Sequence, residues 1–288
     1  MQRRLVGSVV VVAAGLLPAL LGGPIFALLM VGIGVVALRE FLTLGREAVA
    51  PDTHWSLYLS LILAAGSALF SQPILLFPAI LLGTIIPLAI SLRYTSVPGA
   101  AEAWTWGVAG AWYVGLPVYA AIALRQAAGN EVAASWQSLS DRLAPGWPSA
   151  PIGMAWVLAV VLSTWAGDSA AYLAGRAFGR HKLAPAISPG KTIEGALGGL
   201  VAAVVVSAAV FGVSGALPAW AGAMVGAGLG MCGQLGDLSE SFLKRQAGVK
   251  DSGDLIPGHG GMLDRVDALL FAFPAALLMI WIAEGNVR

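Results

Sequence analysis

Between Ser241 and Asp267 the chain gathers Lys244, Arg245, Lys250, Asp251, His259, Asp264, Arg265 and Asp267, together with the hydroxyls of Ser241 and Ser252. Cations grouped in this way suit polyanions such as phosphates, and carboxylates suit a hard divalent ion that keeps its waters and shares those phosphates. The grouping is unusual because only 11% of the chain is charged. Asp237 stands just before it in Gly-Gln-Leu-Gly-Asp-Leu-Ser-Glu-Ser, and Asp168 further upstream in Ser-Thr-Trp-Ala-Gly-Asp-Ser. An ionised side chain at membrane depth is costly and usually faces a partner or a water-filled cavity. Asp168, Asp237, Asp264 and Asp267, all at the ends of apolar runs, are therefore expected to share one cavity.

A helix running through Arg245 would place Asp237, Ser241, Lys244 and Arg245 on one face, and Asp264 would share a face with Asp267. Oxygen-rich carboxylate sites suit Mg²⁺. Zinc is disfavoured, since His259 and Cys232 offer no set of nitrogen and sulfur ligands. In Pro257-Gly258-His259-Gly260-Gly261, the backbone N–H groups of Gly260 and Gly261 can approach an anion closely, although a turn between two helices is the plainer reading. His259 is open to three roles: phosphate donor, proton carrier or structural loop residue.

A second basic stretch holds Arg176, Arg180, His181 and Lys182, then Ser188-Pro189-Gly190-Lys191-Thr192. Ser188 followed by Pro189 predicts an N-cap with proline at the first helical position. Lys191 and Thr192 would then lie in the first turn, where free N–H groups attract phosphate. Gly190-Lys191-Thr192 imitates the end of a P-loop, but Pro185 stands where that motif needs glycine and no strand precedes it, which excludes the NTPase reading.

These residues must be positioned by a membrane protein. With 58% hydrophobic residues and a mean hydropathy of +0.82, the chain departs from the roughly 25% charged content of soluble domains. Its single cysteine, Cys232, rules out an intrachain disulfide. Apolar runs at 5–21, 24–38, 55–71, 73–91, 104–124, 152–174, 193–213, 216–236 and 265–283 predict an all-α polytopic fold of about nine transmembrane helices. Arg3 and Arg4 ahead of the first run fit a retained hairpin better than a secretory signal. With the N-terminus cytoplasmic and the C-terminus outside, the inner side receives all cations except Arg125, Arg142 and Arg288, as the positive-inside rule requires. The chain reads as one membrane domain, with 1–125 mainly scaffold and 152–283 forming the catalytic site. Trp136 and Trp147 would lie outside, and nothing suggests a nucleic-acid surface. Glycines 222, 226 and 230 predict close helix packing.

The signature Ser-x-x-Lys-Arg, Lys-Asp, Pro-Gly-His-Gly-Gly-x-x-Asp-Arg-x-Asp, from Ser241 to Asp267, resembles that of the phosphatidate cytidylyltransferase (CDP-diacylglycerol synthase) family. Gly236-Asp237-Leu238, Gly167-Asp168 and Ser188–Gly195 resemble family segments too. Likeness is strong over about 160–270 and general over the first half. The resemblance implies a bacterial inner-membrane enzyme, with its polar cavity facing the cytoplasm and open toward the bilayer. It further implies conversion of CTP and phosphatidic acid to CDP-diacylglycerol and pyrophosphate, a requirement for Mg²⁺, and a homodimer. Metal ligation would map onto Asp237 and Asp264, with a second cation such as K⁺ between them.

Such a reaction joins two polyanions, so cations are its main requirement. Lys244, Arg245, Lys250 and Arg265 would neutralise charge and Lys191 would hold a substrate phosphate. Asp267 and Asp251 would support the metal or orient cations. A rival class is an ion-coupled transporter, whose site would lie near the bilayer midplane rather than at helix ends beside Lys and Arg. A CTP-dependent enzyme acting on another lipid phosphate or a lipid alcohol is the nearer alternative.

Overall fold

The computed structural model describes residues 16–45, 51–94, 99–128, 132–143, 147, 150–253 and 260–283. Residues 16–21 are helical, and after the break at Gly22 come α1 (Gly23–Leu44) and α2 (His54–Leu69). The helical segment Pro73–Tyr94, α3, is interrupted by a π turn at Leu81–Ile85. α4 (Ala100–Arg125), the short α5 (Ala134–Leu143) and α6 (Pro151–Phe178) follow. A hairpin of β1 (Lys182–Ala184) and β2 (Ser188–Thr192) then leads into α7 (Ile193–Ser214), α8 (Ala219–Gln246) and α9 (Leu263–Ala283).

Apolar runs long enough to span hydrocarbon fold as helices because every backbone polar group is then satisfied within the segment. Among the described residues six helices are long and apolar enough to cross a membrane: α1, α3, α4, α6, α7 and α9. The run expected at 55–71 is α2, only 16 residues long, and that at 216–236 is the first part of α8, whose second half is polar. The run at 5–21 lies largely outside the described residues. Large apolar side chains such as Leu28, Ile74, Phe77, Leu173, Val201 and Val213 stand exposed on these helices. In water such a surface would aggregate; against acyl chains it is the surface a spanning helix needs.

Two buried clusters hold the bundle. Leu38, Phe41, Leu57, Leu61, Val114 and Leu270 join α1, α2, α4 and α9, with Phe41 stacked on Trp106 at 4.9 Å. Trp156, Phe211, Leu229, Phe273 and Ile280 join α6 to α7, α8 and α9. The expected glycine packing is present: a Cβ at Gly226 would come within 2.6 Å of the Ala203 carbonyl, so the face of α8 bearing Gly222, Gly226 and Gly230 lies directly on α7.

One end of the bundle is tied by Arg125, which is buried. Its guanidinium donates to the carbonyls of Ala19 at 2.7 Å, Leu20 at 3.0 Å and Ala150 at 3.1 Å. The candidate polar residues gather away from Arg125, at the C-terminal ends of α1, α6 and α8 and the N-terminal ends of α7 and α9.

Two expectations are corrected by the chain between α6 and α7. The fold is not purely helical, and Ser188 is not a helix N-cap, because Ser188–Thr192 is a strand paired antiparallel with Lys182–Ala184. Thr192 is the cap: its side-chain oxygen accepts the Gly195 N–H at 3.1 Å, and α7 starts at Ile193. Proline is tolerated at position 189 because a two-stranded hairpin has open edges where its missing N–H costs no ladder bond. Lys191 and Thr192 thus precede the helix instead of lying in its first turn.

Candidate active site

A cavity of about 510 Å³ opens between α6, α7, α8 and the hairpin. Asp168 and Arg176 reach it from α6, Ser188, Lys191 and Thr192 from β2, and Asp237 from α8. All six were expected from the sequence to serve the site. Lys191 Nζ stands 2.5 Å from Asp237 Oδ2, and both side chains are about one-third exposed. Asp168 lies within electrostatic reach of both Asp237 and Lys191, and Asp267 within reach of Asp237 and Asp168. The cavity therefore has one end bearing carboxylates and cations. Elsewhere its wall is mostly small and apolar, with Gly167, Ala171, Gly199, Leu229 and Gly230, beside the polar Ser163, Thr164 and Gln234.

The hairpin that carries Lys191 is itself held in place. Glu194, in the first turn of α7, accepts the backbone N–H of Arg180 at 3.0 Å and meets the His181 ring nitrogen Nδ1 at 2.6 Å. Lys182 Nζ donates to the Pro189 carbonyl at 2.8 Å. Arg245, expected among the catalytic cations, donates instead to the carbonyls of Ile187 at 3.3 Å and Val249 at 3.2 Å, fastening the hairpin turn to the end of α8.

A second polar group forms where α8 and α9 meet the end of α1. Lys244 Nζ pairs with Asp264 Oδ1 and lies 3.2 Å from Glu240 Oε1. Asp264 Oδ2 accepts the N–H of Ser252 at 2.9 Å, its hydroxyl at 2.9 Å and the N–H of Gly261 at 2.8 Å. The anion that the Gly261 N–H meets is the chain's own Asp264 carboxylate. Gly260 has φ +79°, a conformation costly for other residues.

The single face expected for Asp237, Ser241, Lys244 and Arg245 divides. α8 does run through Arg245, but Lys244 is buried against Asp264 and Glu240, Ser241 is half-buried, and Arg245 is exposed toward the hairpin. The step from 237 to 241 to 245 drifts along a helix, while 240 and 244 form a neighbouring stripe turned to the bundle interior. Lys250, Asp251 and Arg265 are exposed. His259 lies outside the described residues, as does the rest of 254–259.

Three acids were missed by sequence reasoning. Glu240, 1% exposed, faces Lys244 and interacts electrostatically with Asp267 and Asp264. Its signal was its spacing of one turn from Asp237 and Lys244. Glu194 holds the hairpin, as described. Glu40, buried at the end of α1, accepts the N–H of Met262 at 2.9 Å and of Leu263 at 2.7 Å and the Ser252 hydroxyl at 3.0 Å. Its signal was a lone acid closing an apolar run in the half read as scaffold.

Oxygen donors of this kind fit a hard cation. Lys191 and Lys244 already place ammonium charge on Asp237 and Asp264, so both carboxylates occupy positions where positive charge is stabilising. Among the described residues, no three Asp, Glu, His or Cys side chains converge as a ligand set.

The cytidylyltransferase family model matches residues 1–283. A phosphatidate cytidylyltransferase of Staphylococcus haemolyticus is 46% identical over 129 residues, which are 44% of this chain and 50% of that protein. Those of Staphylococcus aureus strain COL and Staphylococcus saprophyticus are 45% and 43% identical over the same extent. The match spans about half the length of these curated relatives. Taken with a cavity that brings Asp168, Lys191 and Asp237 together, the match over nearly the whole sequence settles the classification: the chain belongs to the cytidylyltransferase family.

Proposed function

We propose that this chain is a CTP:phosphatidate cytidylyltransferase, making CDP-diacylglycerol and pyrophosphate at the cytoplasmic face of a bacterial inner membrane. The observation that carries the reading is the two-ended cavity. Acids and cations at one end suit phosphates, and an apolar wall between membrane-spanning helices suits a lipid. A transporter site at the midplane would not need the Lys191–Asp237 pair beside a basic hairpin.

Lys191 and Arg176 receive the anionic oxygens of the substrates, and Thr192 fixes the start of α7 just behind them, where the helix dipole favours negative charge. Holding the two phosphates together in this way offsets their mutual repulsion, so positioning provides much of the acceleration. The lipid phosphate oxygen attacks the α-phosphorus and the bond to pyrophosphate breaks in line. This nucleophile is already ionised near neutral pH, so the site needs no strong general base. Asp237 and Asp264 would hold Mg²⁺, with Asp168 and Asp267 supporting and K⁺ as a companion cation. Bound there, the divalent ion supplies neutralisation of the pyrophosphate leaving group. Lys244 and Glu240 keep Asp264 oriented, and Arg245 keeps the hairpin over the cavity. A homodimer is the expected assembly.

The test is pyrophosphate release by detergent-solubilised protein. Release from CTP only when phosphatidic acid and Mg²⁺ are both present supports the reading. Equal release with another lipid phosphate would instead favour the sister activity.

A further inference from the structure

Among the residues that line the cavity, Tyr172 alone carries an aromatic ring. It stands on α6 one turn from Asp168 and one turn from Arg176, each step about 6 Å along the helix axis, so the three share a face. Tyr172 is 65% exposed, which leaves its ring open to whatever enters. The fold makes no use of that ring: it packs on no other aromatic side chain, and its hydroxyl has no hydrogen-bond partner among the described residues. A tyrosine near the end of a spanning helix often anchors it at the membrane boundary. Anchoring does not ask for a ring that lines a cavity, with a carboxylate on one side and a guanidinium on the other.

Those neighbours narrow what the ring can meet. Phosphates go to Lys191 and Arg176, and a hydrocarbon chain gains nothing from the charges on either side of Tyr172. Of what remains of the two substrates, the cytosine base alone has a π face. It is joined to the α-phosphate through one ribose, so it must come to rest close to the cations that hold the phosphates. Stacking on an aromatic side chain holds a base without a pattern of hydrogen bonds to its edge.

Resting on the reading of the cavity as a CTP site, we infer that the Tyr172 ring stacks on the cytosine base of CTP. The stack fixes the nucleoside while Lys191 and Arg176 hold the phosphates, so the α-phosphorus is oriented from both sides. Because every base has a π face, this contact supplies affinity for the nucleoside and leaves the choice between pyrimidines to other groups.

The test measures kcat, KM for CTP and KM for phosphatidic acid, with Mg²⁺, in the parent protein, Tyr172→Phe, Tyr172→Leu and Leu173→Ala. Leu173 is exposed beside Tyr172 but does not line the cavity, so it controls for loss of a membrane contact alone. Tyr172→Phe keeps the π face and should keep KM for CTP near the parent value, as should Leu173→Ala. Tyr172→Leu should raise KM for CTP by about ten- to a hundredfold, the scale of one lost base stack, with KM for phosphatidic acid unchanged. Inhibition by CMP should weaken by the same factor, while inhibition by pyrophosphate, which has no base, should stay as it was. An unchanged KM for CTP in Tyr172→Leu overturns the inference. So does a rise shared by Tyr172→Phe or Leu173→Ala, one confined to phosphatidic acid, or one matched by weaker pyrophosphate inhibition. If Tyr172→Leu does not fold, Tyr172→Met, also without a π face, reads the same constants. Failure of the parent to use CTP at all overturns the reading of the cavity itself and is distinguishable from these outcomes.

Discussion

Glu40 Oε2 accepts the backbone N–H of Leu263 at 2.7 Å, joining residues 223 apart in sequence. The same carboxylate takes the Met262 N–H and the Ser252 hydroxyl, so the end of α1 caps the start of α9 and fixes the chain on both sides of 254–259. An acid from the half of the chain that looks like inert scaffold therefore holds Ser252, Met262 and Leu263, all within the Ser241–Asp267 stretch.

Glu40→Ala removes three accepted hydrogen bonds at a buried position and leaves two backbone donors unpaired. We expect a loss of about 2–4 kcal/mol, read as a lowered midpoint of thermal unfolding in detergent. Glu40→Gln keeps the shape and one carbonyl oxygen, so its loss should be about half as large.

Gly261 tests the same clasp sterically. A Cβ there would overlap Ser252 Oγ and Glu40 Oε2. Gly261→Ala should destabilise the protein by about 1–3 kcal/mol, as overpacking does, whereas Gly190→Ala, with nothing within 4 Å of its Cβ, should melt near the parent temperature.

Asp237 and Asp264 should separate in their mutants. Asp237→Asn loses one partly exposed ion pair, so unfolding should shift little while cytidylyl transfer falls by at least about a thousandfold. Asp264→Asn also unbalances Lys244, Ser252 and Gly261, so it should lose both activity and stability. Near-normal turnover of either purified variant would contradict its assignment.

Lys191→Met removes the cation facing Asp237 from the cavity. Transition-state charge stabilisation by one such group is worth about a hundredfold, so kcat/KM for pyrophosphate release should fall by that order. Thr192→Ala, which deletes the α7 cap, should cost about 1 kcal/mol of stability with a smaller loss of rate.

Divalent-metal removal should abolish turnover reversibly. Dialysis against EDTA followed by graded Mg²⁺ is expected to restore pyrophosphate release, while Zn²⁺ should not, since the donors are oxygens. Metal-independent release would remove the role given to Asp237.

The sequence by itself determined the membrane class, the approximate place of most helices and the residues of the cavity's polar end, because apolar runs and rare charges within them are local signals. Lys191, Asp168 and Asp237 were legible as candidates from type and spacing, and the fold brings them to one cavity. Which charges face each other was decided only by tertiary packing. Local pattern read Ser188-Pro189 as a helix start, but pairing with Lys182–Ala184 made it a strand. The face expected on α8 split because Glu240 and Lys244 turn toward Asp264 on α9, while Asp237 turns toward Lys191. Glu40 was invisible because a lone acid announces no partner until the fold brings it to Met262 and Leu263. A carboxylate's role depends on what surrounds it in space, and chain order does not encode those neighbours locally.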